Sequence, residues 1–112
     1  MPGISASIGS IWIKLTSEIA ASTGAIVDET PSSDFHSIDY ILTFWNDSQN
    51  KTKTLNIKLT NRNGTLKKSV YAKNGDNINY DLTFTLSTGN VIMTLTNNET
   101  YAINISIAKL IL

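Results

Sequence analysis

The sequence predicts an all-β fold: an antiparallel β-sandwich, jelly-roll-like, of about eight strands. Three observations carry this. Apolar and polar residues alternate with a period of two through most of the last two-thirds of the chain. Clusters of Asn, Asp, Ser and Gly interrupt that alternation every ~8–12 residues, the spacing of short strands joined by turns. Helical periodicity is nearly absent. Successive side chains of a strand point to opposite faces, so a period of two describes sheets with one apolar and one polar side.

Residues 1–10 hold Pro2, Gly3, Ser5, Ala6, Ser7, Gly9 and Ser10 and read as an N-terminal arm ahead of one sandwich domain over 11–112. Ile11, Ile13 and Leu15, with Trp12 and Lys14 between them, give a first strand. The stretch from Ser17 to Val27 has two readings. Thr16 or Ser17 caps a short helix that Ser22-Thr23-Gly24 ends, or a strand forms near Ala25 to Val27. Asp28 to Ser37, with Pro31 and its serines, reads as a loop. In Asp39 to Trp45, Tyr40, Leu42 and Phe44 share one face while Ile41 and Trp45 share the other with Thr43. A strand apolar on both sides is central or covered.

Asn46 to Asn50 reads as a turn, and Thr52 to Thr60 as a long strand with Leu55, Ile57 and Leu59 in phase. Asn61-Arg62-Asn63-Gly64 is a hairpin turn, because Asn-Gly supplies the two positive-φ positions a tight hairpin requires. Leu66 to Ala72 returns, and Lys73 to Asn77 turns again. Asn77 to Leu86 places Ile78, Tyr80, Leu82, Phe84 and Leu86 in phase. After Ser87-Thr88-Gly89-Asn90, Val91 to Thr96 repeats the pattern, and Thr100 to Leu112 closes the fold on Tyr101, Ile103, Ile105 and Ile107.

Composition narrows the function classes. The chain has 112 residues, enough for one core, and 41% of them are apolar, so a packed domain is expected. Only 16% are charged, against about a quarter in average domains. Thr, Asn and Ser fill the difference, and such surfaces cost less to desolvate against a partner than charged ones. The formal net charge is zero, which gives no electrostatic footprint for nucleic acid. Lys51, Lys53, Lys58, Arg62, Lys67, Lys68 and Lys73 sit among strand signals and read as outer-face and edge charges that block strand-to-strand aggregation. With no cysteine, disulfide and thiolate chemistry are excluded. No secretory signal is visible in residues 1–10, and no apolar run approaches the ~20 residues of a membrane span, so a soluble product without membrane contact is expected.

No reaction centre is evident, and the chain is expected not to be an enzyme. His36 is the only histidine. Asp34, Ser37 and Asp39 lie near it in sequence, but no nucleophile elbow or glycine-rich oxyanion loop accompanies them, so it reads as a loop histidine. The carboxylates are scattered singly, and one histidine without cysteine is a poor zinc set. Asp76 in Asn74-Gly75-Asp76-Asn77 lacks EF-hand spacing and fits turn chemistry. No cofactor or metal is implied. Asn-X-Ser/Thr triplets at Asn46, Asn50, Asn63, Asn98 and Asn104 arise readily in a chain so rich in Asn and Thr.

Contact with partners is the remaining expectation. Tyr40, Tyr80 and Tyr101 are in phase with apolar neighbours and read as core. Trp12 and Trp45 are out of phase and are expected to face a partner or a ligand. With Ile4 and Ile8 of the arm and with Leu110 and Leu112 of the apolar C-terminal run, they form the expected partner interface.

From Ser37 onward, about two-thirds of its length, the chain resembles a small β-sandwich module of tailed-bacteriophage virion proteins, found in head-decoration, neck and fibre proteins. The matching residues are Ser37-Ile38-Asp39-Tyr40-Ile41-Leu42-Thr43-Phe44, Thr54-Leu55-Asn56-Ile57, Leu86 to Asn97, and Ile103 to Ile107. The resemblance implies a non-catalytic structural protein of the virion, assembled in the host cytoplasm. It also implies a homo-oligomer, commonly a trimer, that contacts other virion proteins such as the major capsid protein. On that basis a capsid decoration or cement subunit is the leading expectation. A tail or fibre component that binds a host surface glycan is the alternative, and a free carbohydrate-binding module is the third.

Overall fold

The computed structural model describes residues 13–112. The expected arm over 1–10, with Ile4 and Ile8, and Trp12 after it lie outside the described residues. Eight strands follow in order: β1 (Ile13–Ile19), β2 (Thr23–Pro31), β3 (Ser37–Asn46), β4 (Lys51–Arg62), β5 (Thr65–Gly75), β6 (Tyr80–Ser87), β7 (Asn90–Asn97) and β8 (Ile103–Ile111). A single 3-10 turn, Ser32–Asp34, joins β2 to β3. The strands form a five-stranded sheet of order β1-β8-β3-β4-β5 and a three-stranded sheet of order β2-β7-β6, antiparallel throughout. The predicted two-layer antiparallel sandwich is therefore what the chain builds. Its last strand lies between β1 and β3, so the C-terminal run completes the larger sheet, and the Leu112 carbonyl accepts from the amides of His36 and Ser37.

The alternation marks the core correctly. Tyr40, Leu42 and Phe44 of β3, Leu55, Ile57 and Leu59 of β4, and Ile103, Ile105 and Ile107 of β8 are all buried. They pack against Leu82, Val91, Met93 and Leu95 of the smaller sheet, with Ile19, Phe35 and Ile78 closing the ends. Burying each such side chain contributes about 1.5–3 kcal/mol, so these positions supply most of the favourable term. Tyr80 and Tyr101 are half-buried and pack against the same cluster.

The hairpins follow their turn residues. Arg62 pairs with Thr65 around Asn63-Gly64, whose φ angles are 51° and 87°. Ser87 pairs with Asn90 around Thr88-Gly89, at 49° and 82°. Both are two-residue loops with two positive-φ positions, the geometry that matches strand twist.

Three segments differ from expectation. The helix considered after Thr16 does not form: β1 runs to Ile19, Ser22 turns the chain at φ 54°, and β2 begins at Thr23. Asp28 to Ser37 is not all loop, because β2 extends through Pro31 and buries Asp28 and Thr30. A bulge at Val27 shifts the register between Ile26 and Asp28, which breaks the period-two pattern where the strand is read. The strand expected from Asn77 begins only at Tyr80, while β5 continues to Gly75. Asp76 serves the turn: its amide donates to the Thr52 carbonyl at 2.7 Å and its carboxylate accepts the Thr52 amide at 2.9 Å.

Asn97 ties the two crossings between the sheets together. Its side-chain amide donates to the carbonyls of Ile19 (3.2 Å), Ala20 (3.3 Å) and Tyr101 (2.8 Å), and its oxygen accepts the Glu99 amide at 2.9 Å. Fully buried, it satisfies backbone groups that both turns leave unpaired.

Candidate functional site

The outer face of the five-stranded sheet is the broadest surface of defined chemistry. Residues paired across neighbouring strands share a face, so the register writes the surface row by row. One row runs Lys14, Ala108, Ile41, Asn56, Ala72. The next runs Thr16, Ser106, Thr43, Thr54, Asn74, and a third Glu18, Asn104, Trp45, Thr52. From β8 to β5 these rows carry hydroxyls, amides, Ala and Ile41 beside Trp45, and no charge. Ile41 is 37% exposed and Trp45 is half-buried, its phase opposite to that of buried Phe44. Below the first row lies Leu110 beside Asp39, which pairs with Lys58 at 3.5 Å. With Lys58 exposed and Asp39 half-buried, that pair contributes little to stability. No helix covers this face among the described residues. The sequence reading of Trp45 and Ile41 on the face opposite Tyr40, Leu42 and Phe44 thus matches the structure, and β3 is central, as a strand apolar on both sides requires.

No protein-family model matches the chain, and no curated protein matches it by sequence. Its structure is similar to part of two phage tailspikes. One is the tailspike protein of Acinetobacter phage vB_ApiP_P1, with 8% identity and a TM-score of 0.46 over 88% of this chain. The other is tailspike protein gp49 of Acinetobacter baumannii bacteriophage Fri1, a capsular polysaccharide depolymerase, with 10% identity and a TM-score of 0.47 over 88% of this chain. The chain covers 21% of the first protein and 17% of the second.

Three shallow grooves lie on the described surface. Two flank the β4–β5 hairpin, about 440 and 680 Å³ in volume, and share His36, Asn61, Arg62 and Asn63 in their walls. Asn61 holds this end together: its side-chain amide donates to the Ser32 carbonyl at 3.0 Å and its oxygen accepts the Gly64 amide at 3.0 Å. His36 is exposed there, and among the described residues no side-chain hydrogen bond orients its imidazole. A third groove, about 270 Å³, opens between β5 and β6 over Leu59, Leu66 and Phe84. No group of three or more His, Cys, Asp or Glu side chains able to hold a metal occurs among the described residues. Among them, too, no helix is long and apolar enough to cross a membrane.

A buried polar cluster escaped the sequence reading. Lys109 of β8 donates to Asp28 at 2.8 Å and to the Thr30 hydroxyl at 3.0 Å, while the Tyr40 hydroxyl donates to the other Asp28 oxygen at 3.0 Å. Tyr40 and Lys109 are cross-strand neighbours in the large sheet, and Asp28 and Thr30 belong to the small one. Burial, with the Asp28 charge adding to it, pushes the Tyr40 phenol far above its ordinary range. All four groups are satisfied by one another and none lines the three grooves described above, so this cluster clasps the sheets. The signal was present in the sequence, since Lys109 falls in phase with Ile103, Ile105 and Ile107.

Of the expected interface residues, Trp45, Leu110 and Leu112 are among the described ones. Trp45 and Leu110 lie on the outer face of the large sheet, in rows on either side of the two central ones. Leu112 follows β8 and is 51% exposed.

Proposed function

We propose that this chain is a non-catalytic, glycan-binding β-sandwich module of a bacteriophage tail or fibre protein. The observation that carries the reading is the outer face of the five-stranded sheet. Its central rows set Ser106, Thr43, Thr54, Asn56 and Asn74 around Ile41 and beside Trp45, with no charge between β8 and β5. Hydroxyl and amide groups on paired strands match the donor and acceptor pattern of sugar hydroxyls. An aromatic edge and an aliphatic centre suit the C–H face of a pyranose ring. Strands hold these groups more rigidly than loops do. The phage assignment rests on the sequence resemblance, whose quoted residues fall on β3, β4, the end of β6, β7 and β8.

The test is binding of purified protein to a panel of bacterial surface polysaccharides, read by calorimetry. Saturable binding is expected, lost in Trp45→Ala and in Thr43→Ala/Asn56→Ala, and kept in Thr83→Ala/Thr85→Ala on the opposite sheet. Binding unaffected by the first two variants defeats the reading.

A second reading, a capsid decoration subunit, draws on the same face. An uncharged tract with exposed Ile41 is cheap to desolvate against protein. Co-sedimentation with particles that is abolished by Ile41→Lys, in a protein without polysaccharide affinity, favours it.

A further inference from the structure

We propose that β1 is a self-pairing edge, joining two copies of this chain through an antiparallel β1–β1 contact centred on Thr16. Among the described residues the sandwich has four edge strands, and three are guarded against pairing. In β5 the register shifts at Tyr71, and Lys67, Lys68 and Lys73 line the strand. In β2 it shifts at Val27, and the strand ends on Pro31, which has no amide hydrogen. The third, β6, has its Leu82 carbonyl taken by the Lys68 ammonium at 2.7 Å. Bulges, lysines and proline are the devices that keep sheet edges apart.

β1 has neither bulge nor proline, and its one lysine, Lys14, is matched by Glu18 on the same face. It pairs with β8 in unbroken register from Ile13 to Ile19 and, among the described residues, has no strand on its other side. Ile13 and Leu15 point to the core side of the sheet, in phase with buried Ile19, yet are 43% and 37% exposed because the narrower sheet does not cover them.

Charge selects the occupant. On the outer face β1 carries Lys14 and Glu18, facing Ala108 and Asn104 of β8, and neither forms an ion pair among the described residues. Four residues along a strand separate them by about 13 Å, too far to pair with each other. A two-fold axis through Thr16 removes this mismatch. It sets Lys14 opposite Glu18 of the second copy, and Glu18 opposite its Lys14. On the inner face Ile13 meets Ile19 of the second copy. The contact is isologous, closes on itself, and extends two five-stranded sheets into one of ten.

The test is sedimentation of the full chain across a concentration range at low salt, with circular dichroism to confirm folding of each variant. A reversible dimer is expected. Lys14→Glu and Glu18→Lys each replace two opposite-charge pairs by two like-charge pairs and weaken it by about tenfold, and the double reversal restores it. Raising the salt reduces the difference between wild type and single variants. A monomer at every concentration overturns the proposal, as does a trimer. So does a dimer indifferent to the single reversals, or one the double reversal fails to restore.

Discussion

Lys109 and Asp28 stand 81 residues apart in the chain and meet at 2.8 Å between the two sheets, almost wholly out of water. Among the described residues each charge is compensated by the other and by the hydroxyls of Thr30 and Tyr40. Lys109→Met removes the cation and leaves a buried carboxylate, which costs about 3–5 kcal/mol. Adding Asp28→Asn recovers part of that loss, because the remaining group is neutral. Urea unfolding of the two single variants and the double variant measures the coupling. Strictly additive losses would contradict the clasp.

Tyr40 gives the domain an alkaline limit. Its phenol ionises far above the ordinary value of 10.0 when folded, through burial first and the Asp28 charge second. Burial also raises Tyr80. A folded pKa above the unfolded one means that this stability is complete below about pH 10 and declines as the pH rises further. Thermal melting is therefore expected to fall more steeply with pH above 10 in the wild type than in Tyr40→Phe. At pH 7 that variant is itself less stable, by about 1–3 kcal/mol, through the hydrogen bond it denies Asp28. Parallel alkaline profiles for the two proteins refute the assignment.

Two glycines at turns separate backbone strain from steric exclusion. Gly89 has a φ of 82° and open space where a Cβ would stand, so Gly89→Ala costs about 1–2 kcal/mol, the left-handed penalty alone. Gly75 has a φ of 105°, and a Cβ there meets the Thr52 carbonyl oxygen of the β4 backbone. Gly75→Ala must move β4 or break the β5 end, and a larger loss is expected. Equal melting temperatures for the two variants would be the wrong result.

Asn97→Ala removes one side chain that serves four backbone groups, and about 2–3 kcal/mol of destabilisation is expected from those left buried and unpaired. Asn98, one residue on, reaches only the exposed Asp81 carboxylate at 3.0 Å. Asn98→Ala is the control, with a change inside ~0.5 kcal/mol. Chemical denaturation of both checks the contrast.

The strands whose inner face meets the opposite sheet were legible, because burial there imposes the period of two: β3, β4, β7 and β8 alternate as read. The segment over β5 was harder. Lys68 and Lys73 occupy the same side as Val70, since this edge lies at the margin of the narrower sheet, where Leu66 and Val70 are only partly buried. A strand near Ala25 to Val27 was one of two readings, but the second half of β2 was read as loop because the extra residue at Val27 inverts the phase halfway, and because Asp28 and Thr30 look like turn residues when their partner Lys109 is unknown. Only pairing between distant segments reveals that partner. Trp45 and Ile41 were found by phase alone, whereas Thr43, Asn56 and Ser106 gain meaning only from the register that aligns them.

The β1–β8 ladder also fixes how the domain bears force. Ile13 lies directly across from Lys109, so the first described residue and the last rungs of the closing strand share one end of the sandwich. Tension between those points peels the two strands apart one rung at a time instead of shearing the ladder as a whole. A load is therefore carried more securely through the broad sheet than along the backbone from end to end.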